Sequence, residues 1–560
     1  MAFGTTELSL NQRAEVSKVL RKSSPNTTDE NLEKLSVIFE DVYKALRASS
    51  PDKHPASIEK TVEWFAKWAD AYGQESRYFH NIDHLRDMTV TSLADYEGLN
   101  NALANTLSAD ELLKLQRINT LAGFYHDVEY TQVDGHLTKN GQILMPYLIY
   151  DEQKKTYAVK AEFDSRVDPK QQAIINMVLA VFGQKREVAL SPFTGMNELL
   201  SAMEAALDLQ AQGVNKTDIL AVVASIEATI PFRKKDRMEG LRANIENYLK
   251  TDNELQLDAR EMDKIIGNAT ILANQDVVGL AGGLRPDETL TADHIREVMK
   301  GTDKLHAEEV PTLRTSKPGD YPPDELVKAL YKQHTLFNTM LAPKNENIMV
   351  FHGAKMQSTG KDFPPQESLG ALEDIVKEKV GPVVGLVLRA RLAAVRALAA
   401  FAKAPENKFA RTQGDKRPEI STVAELLDHG LKELQGKLDP NAFKSGSHQY
   451  ERLAYEVLSG ERKVGKNDTP RSSTAAYMLQ ELGAAELQAL VPNAKLGPDD
   501  EPRNQINKGE HEAYREALKG IEKLSGLKDL LLPNLIKHRG GLPETLTTGY
   551  EDEGRSSAVR

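Results

Sequence analysis

Apolar residues recur at spacings of three and four along most of the chain, and this is the period of an amphipathic α-helix. Strict alternation of apolar and polar residues, which is typical of a half-buried strand, is scarce. Two short apolar runs, residues 143–150 and 156–163, could instead pair as a hairpin around the polar residues 151–155. The pattern therefore predicts an all-α fold with one small inserted hairpin.

Interruptions of the helical pattern divide the chain into segments. One stretch holds a cluster of prolines, which indicates a boundary or a long connection: Pro311, Pro318, Pro322 and Pro323. The predicted order is an N-terminal helical segment (1–60), a main domain (61–290), a linker (291–325), a helical C-terminal domain (326–538) and a tail (539–560). The tail has few apolar residues, so we expect it to be disordered.

Composition narrows the chemistry that the chain can perform. Of its 560 residues, 40% are apolar and 27% are charged, as in soluble globular proteins, and the length predicts more than one core. There are no cysteines, which excludes disulfides, thiolate metal sites and thiol nucleophiles. Any metal must be held by histidines and carboxylates, and this combination suits Mn, Fe, Co, Zn or Mg.

Charge and hydropathy argue against two classes of partner. The formal charge of -11 disfavours general binding of nucleic acid, whose phosphates are read by basic surfaces. The most apolar run, residues 380–401, contains Arg389, Arg391 and Arg396, which disfavour a membrane span. The N-terminus lacks the basic start and apolar centre of a secretory signal. We therefore expect a cytoplasmic protein that binds neither nucleic acid nor membranes.

Two helical stripes end on imidazole or acidic residues where an apolar residue is due. The first helix opens with a capping box at residues 108–111, and its stripe leads to His126 with Asp127 beside it. The second stripe leads to Asp276. Burial of a carboxylate is costly unless a cation or hydrogen-bond donors meet it. The apolar members of the stripes are Leu112, Leu115, Ile118 and Ala122 in the first, and Met262, Ile265, Ala269 and Leu272 in the second.

A pair of histidines completes this set. His80 and His84 are four residues apart, so on a helix both imidazoles would point the same way. With His84, the three segments present two imidazoles and two carboxylates, which suit one or two divalent ions.

The motifs in these segments resemble a known family. They are RYFHNIDH at 77–84, LAGFYHDVEY at 121–130, NELLSA at 197–202 and NQDVVGLAG at 274–282. In this order they resemble the HD superfamily of metal-dependent phosphohydrolases, in particular a bacterial branch, and more distantly the cyclic-nucleotide phosphodiesterases. The resemblance spans about residues 64–283 and implies an HD-domain-like helical bundle over 61–290.

The resemblance also implies an activity and residue roles. The implied activity is hydrolysis of a phosphomonoester or phosphodiester, with nucleotides among the candidate substrates, by a metal-bound hydroxide. The implied metal ligands are His84, His126, Asp127 and Asp276, with Asp127 also holding the attacking oxygen in line. His80 matches the histidine that protonates the leaving oxygen, with Asp83, Asp87 or Glu129 as candidates to raise its pKa. Glu198 matches an acidic residue that orients water or supports a ligand.

Some features depart from the family. Residues 131–196 form a longer insertion than the small bacterial members carry, which suggests a lid or an extra wall of the site. Phe232 and Arg233 stand where the family often has a histidine. No glutamine-bearing pocket for a nucleotide base is evident, so a cyclic nucleotide is unsupported as substrate. We interpret Arg77 as the partner of a carboxylate rather than as a phosphate clamp.

Two other functions remain open at this stage. The chain could be a protein-interaction module on an HD scaffold that has lost turnover, with the C-terminal helical region binding a protein partner. It could also be a regulator that binds a nucleotide and a metal without cleaving the nucleotide. An intact ligand set favours the enzyme, whose substrate would be a small phosphorylated compound.

Overall fold

The computed structural model describes residues 8–23, 28–49, 58–73, 77, 80–89, 96, 99–100, 107–152, 156–191, 195–230, 237–252, 254–276, 290–296, 299, 380–402, 436–439, 441–443, 449–460 and 473–491. The chain divides into two units. The first comprises Met1–Arg285 and Phe351–Asp374, and the second comprises Pro286–Val350 and Ile375–Arg560. The predicted tail 539–560 and most of the predicted linker 291–325 lie outside the described residues.

Helices dominate the described part of the first unit, which confirms the prediction of an all-α fold. In chain order they are α1 (Leu10–Ser23), α2 (Asp29–Ser49), α3 (Ile58–Ala69), α4 (Ile82–Thr89), α5 (Ala109–Tyr125), the short α6 (Thr131–Asp134), α7 (Pro169–Phe182), α8 (Met196–Ala211), α9 (Lys216–Ala228), α10 (Arg237–Leu249) and α11 (Ala259–Asp276). Helices α1 and α2, from the predicted N-terminal segment, share one core with the rest. Val16, Ile38 and Leu121 are all fully buried members of this core.

Helix α5 begins where the sequence predicts. The Ser108 side chain accepts a hydrogen bond from the Glu111 backbone N–H, and the Glu111 carboxylate accepts one from the Ser108 backbone N–H. This capping box satisfies two donors that a helix start would otherwise leave unpaired. The C-terminal half of α5 is buried, so the helix delivers the residues that follow it into the interior of the unit.

The predicted hairpin is present, with shorter strands than the sequence suggested. Strands β1 (Leu148–Asp151) and β2 (Thr156–Val159) pair antiparallel, with Leu148 opposite Val159 and Asp151 opposite Thr156. The expected first strand began at residue 143, but Gly141–Leu144 form a 3-10 turn instead. The apolar run there contributes Leu144 to the core as a turn residue, and a short apolar run does not distinguish this from a strand.

The second unit is also helical in its described part. It contains α12 (Gly381–Ala402), α13 (Gln449–Ser459) and α14 (Ser473–Leu490), which pack on one another. Helix α12 is largely buried in its described part, and Arg391 is buried with it. Helix α14 is kinked at Gly483, where the Glu451 side chain accepts a hydrogen bond of 2.7 Å from the Ala484 backbone N–H. Among the described helices of the chain, none is long and apolar enough to cross a membrane.

A glycine is required at the start of α8. Gly195 has φ 90° and ψ 36°, and a Cβ added to it would lie 2.2 Å from Cδ1 of Ile230. We expect Gly195→Ala to lower the free energy of unfolding by about 1–3 kcal/mol, because the backbone would be strained and Ile230 would have to move. The control is Gly240→Ala in α10, where an added Cβ meets nothing within 4 Å and should stabilise by about 0.5–1 kcal/mol. Urea unfolding measures both, and equal values would contradict this explanation.

Candidate metal centre

Four side chains from three helices converge inside the first unit. His84 lies in α4, His126 and Asp127 directly follow α5, and Asp276 is the last residue of α11. One ligand atom from each of the four lies within 4.8 Å of all the others. This group could hold a metal ion.

The distances within the group fit coordination of one ion. His126 Nε2 lies 2.7 Å from Asp127 Oδ2, and His84 Nε2 lies 3.1 Å from His126 Nε2 and 3.3 Å from Asp276 Oδ1. Ligand atoms that each bind an ion at about 2.1 Å are separated by roughly 3.0–3.4 Å in octahedral or tetrahedral geometry. The side chains therefore already stand near coordinating separations.

The orientation of the His126 ring also suits a metal ligand. Its Nδ1 lies 2.8 Å from the Gly123 carbonyl oxygen, so the ring donates from Nδ1. In the neutral imidazole this leaves the lone pair on Nε2, which faces His84 and the two carboxylates. Several lone pairs then point at one small volume, and only a proton or a cation can relieve their repulsion.

The charges of the group act on one another through a buried site. Burial lowers the pKa of His126, but the charges of Asp127 and Asp276 outweigh it and hold that pKa well above its usual value. Burial raises the pKa of Asp127, but His126 and His80 outweigh it and hold that pKa well below its usual value. These directions favour a protonated His126 beside ionised carboxylates, so we expect a divalent cation to bind with release of a proton.

His80 and Glu198 stand next to this group. His80 Nε2 lies 3.5 Å from Asp127 Oδ2, and its ring lies 4.3 Å from the ring of Tyr130. Burial of Glu198, followed by the negative charge of Asp127, raises the pKa of Glu198 to about 7. Glu198 Oε2 is buried and has no hydrogen-bond partner within the part of the chain that the structure describes.

Two of the three carboxylates that were candidates to raise the pKa of His80 bind other groups. Asp83 forms an ion pair with Lys34 at 2.6 Å, and Glu129 accepts a hydrogen bond of 2.9 Å from the Thr138 backbone N–H. One carboxylate that the structure does place beside His80 is Asp127, whose Oδ2 lies 3.5 Å from His80 Nε2.

The segment that carries His126 and Asp127 is held by a buried arginine. Arg77 Nη1 donates to the Asp127 carbonyl oxygen at 2.7 Å, and Nη2 donates to the Val128 carbonyl oxygen at 2.9 Å. Nη2 also pairs with Asp134 Oδ2 at 2.5 Å. Arg77 therefore partners a carboxylate, as the sequence suggested. Its two bonds to carbonyl groups, which hold the backbone after α5, were not foreseen.

The insertion contacts the helix that carries Glu198. The Thr156 hydroxyl of β2 donates to the Leu190 carbonyl oxygen at 2.6 Å and lies 3.5 Å from Met196 Sδ, and Thr131 of α6 donates to the same sulfur at 3.9 Å. These contacts place the hairpin against the first turn of α8, two residues before Glu198. Phe232 and Arg233, where the family pattern often has a histidine, lie outside the described residues.

Two further carboxyl groups are buried behind the site. Glu129 and Glu204 are fully buried, and a Cβ added to Gly141 would come within 2.3 Å of Glu129 Oε1 and 2.7 Å of Glu204 Oε1. Burial, and then the negative charge of Glu129, hold the pKa of Glu204 well above its usual value. We did not predict this pair, although an acid on an otherwise apolar helix face, as Glu204 is, is the kind of signal that indicated Asp276.

Replacement of this buried acid should change how stability depends on pH. The pKa of Glu204 is higher in the folded than in the unfolded chain, so its stabilising proton is lost as pH rises through the folded pKa. Between the unfolded and the folded pKa of Glu204, the free energy of unfolding of wild type falls by up to about 1.4 kcal/mol per pH unit, and that of Glu204→Gln does not. We therefore expect the melting temperature of Glu204→Gln, measured relative to that of wild type at the same pH, to rise between pH 5 and pH 8. The exposed Glu162→Gln is the control, and a pH-independent difference for Glu204→Gln would refute the explanation.

Comparison of the chain with protein-family models, with curated proteins and with solved structures gave no match. A functional conclusion therefore depends on the residues of the site and on their geometry.

Proposed function

We propose that this protein is an HD-type, metal-dependent phosphohydrolase that cleaves a phosphomonoester or phosphodiester. The observation that carries the proposal is the convergence of His84, His126, Asp127 and Asp276 from three separate helices. Two imidazoles and two carboxylates are a ligand set for Mn, Fe, Co, Zn or Mg, and one or two ions are compatible with it. A bound divalent ion would lower the pKa of a water molecule and neutralise phosphate charge.

Other residues of the chain would position the ligands and transfer protons. The ring of His126 is fixed by its bond to the Gly123 carbonyl, and Arg77 holds the backbone of Asp127, so both ligands are preorganised. His80 is buried beside Asp127 and would deliver the proton that the leaving oxygen needs. Glu198 has a pKa of about 7, which lets it orient a water molecule and accept a proton near neutral pH.

The substrate class follows from the charge of the site. Asp127, Asp276 and Glu198 would repel a phosphate unless a cation stood between them, so anion binding and metal binding are coupled. A small phosphorylated compound, such as a nucleotide, is the proposed substrate.

Turnover of simple esters tests the proposal. Wild type should retain a divalent metal by elemental analysis and hydrolyse p-nitrophenyl phosphate or its bis ester with added Mn²⁺. In Asp127→Ala both the metal and the turnover should vanish. The control is Asp83→Asn, because Asp83 neighbours His84 in sequence but pairs with Lys34 outside the group.

The outcomes separate the enzyme from its rivals. Metal retained by wild type without turnover of a broad phosphate-ester panel would favour a binding module over an enzyme. If wild type retains no divalent ion, both metal-dependent functions are wrong.

A further inference from the structure

The C-terminal end of α4 is contacted by both helices that carry the other ligands. The last carbonyl groups of any helix have no donor within that helix. The Thr120 hydroxyl of α5 lies 3.3 Å from the Thr89 carbonyl oxygen and 3.1 Å from the Gln116 carbonyl oxygen of its own helix, so its one proton is shared between them. Gln275 Nε2 of α11 donates to the Asp87 carbonyl oxygen. Between these two bonds, Gly123 of α5 lies against the Met88 carbonyl group. We call Thr120, Gly123 and Gln275 the α4 clamp.

Gly123 lets the backbones of α4 and α5 touch. A Cβ added to Gly123 would lie 2.4 Å from the Met88 carbonyl oxygen and 2.9 Å from its carbonyl carbon. Backbone atoms cannot turn aside as a side-chain tip can, so any larger residue must push α4 away from α5. His84 lies one helical turn before Met88, and His126 lies three residues after Gly123. The contact therefore lies close along the chain to both histidines, whose Nε2 atoms are 3.1 Å apart.

The other members of the clamp act in the same direction. The Gly123 carbonyl accepts the bond from His126 Nδ1, so one residue sets both the helix spacing and the ring orientation. Gln275 immediately precedes Asp276, and its bond to Asp87 ties the end of α11 to α4. Asp276 Oδ1, in the next residue, lies 3.3 Å from His84 Nε2.

We propose that the α4 clamp is the positioning device of the metal centre, and that Gly123 is its principal positioning residue. The inference builds on the metal site of the proposed function and adds residues that touch no ion. Metal affinity would depend on how closely the backbones of α4, α5 and α11 approach, in addition to the identity of the ligands.

Two matched glycine variants test the steric part of the proposal. Gly123→Ala should weaken Co²⁺ binding by about 10–100-fold, the range typical when support of a ligand is lost. Its Co²⁺ absorption spectrum should also change, because ligand geometry changes. The control is Gly267→Ala in α11, where an added Cβ would lie 2.3 Å from Cδ1 of Leu99. That neighbour is the tip of a flexible side chain, so this variant should lose stability yet bind Co²⁺ as wild type does.

Milder variants keep the test decisive if Gly123→Ala does not fold. Thr120→Val and Gln275→Met each remove one bond to α4 without adding a clash. Their combination should lower Co²⁺ affinity severalfold. The metal-free protein should stay folded with a lower melting temperature, because the buried Thr89 carbonyl loses a donor.

The failures are distinguishable. Wild-type Co²⁺ affinity in folded Gly123→Ala, or in the double variant, would overturn the clamp and leave the metal centre intact. Absence of Co²⁺ binding by wild type would overturn the metal centre and the clamp together.

Discussion

His126→Ala is expected to lower the affinity of the protein for Mn²⁺ by at least about a hundredfold, since loss of even an outer partner of a ligand costs 10–100-fold. Among the four side chains His126 is the most central, because its Nε2 lies 2.7 Å from Asp127, 3.1 Å from His84 and 3.7 Å from Asp276. Its removal also takes away a positive charge that Asp127 and Asp276 face when His126 is protonated.

Isothermal titration with Mn²⁺ measures this effect, and the protons released on binding report the displaced imidazolium. The control is His136→Ala, since His136 is exposed and contacts the Leu137 carbonyl away from the group. It should bind Mn²⁺ as wild type does. Equal affinities of His126→Ala and His136→Ala would show that the ion binds elsewhere.

Arg77→Gln should lower the free energy of unfolding by about 3–5 kcal/mol, the usual cost of removing one partner of a buried ion pair. Arg77 is 3% exposed and its partner Asp134 would keep its charge in a poorly hydrated place. The carbonyl groups of Asp127 and Val128 would lose their donors at the same time. Buried acceptors without donors add to the cost.

Urea unfolding with tryptophan fluorescence measures the loss. The surface pair of Arg166 with Asp164 provides the contrast, because Arg166 is well exposed and such pairs contribute little. Arg166→Gln should therefore unfold close to wild type. A midpoint for Arg77→Gln equal to that of Arg166→Gln would mean that Arg77 does not hold the segment after α5.

Much of the fold follows from local patterns. Periodic apolar stripes predicted the helices that end near His126 and Asp276, because core burial selects one helix face and the stripe fixes which residue comes next on it. The capping box at Ser108 located the start of α5, since it depends only on residues three apart. The first strand was placed too early because Leu144 is apolar in a 3-10 turn as it would be in a strand.

The support of the site was harder to predict because it depends on contacts between distant segments. Arg77 reaches carbonyl groups some fifty residues away, and sequence gives no measure of which carbonyls a guanidinium will meet. Gly123 did leave a signal. A glycine inside a helix costs about 1 kcal/mol relative to alanine, so its presence beside the motif indicates a close backbone approach. The partner, the Met88 carbonyl, could be identified only from the structure.

Diffraction from crystals grown with Mn²⁺, recorded at the manganese absorption edge, tests the central claim most directly. We predict an anomalous peak within about 2.4 Å of one atom from each of His84, His126, Asp127 and Asp276. A peak that is bound by other residues, or a fully ordered group of these four side chains with no peak among them, would contradict it.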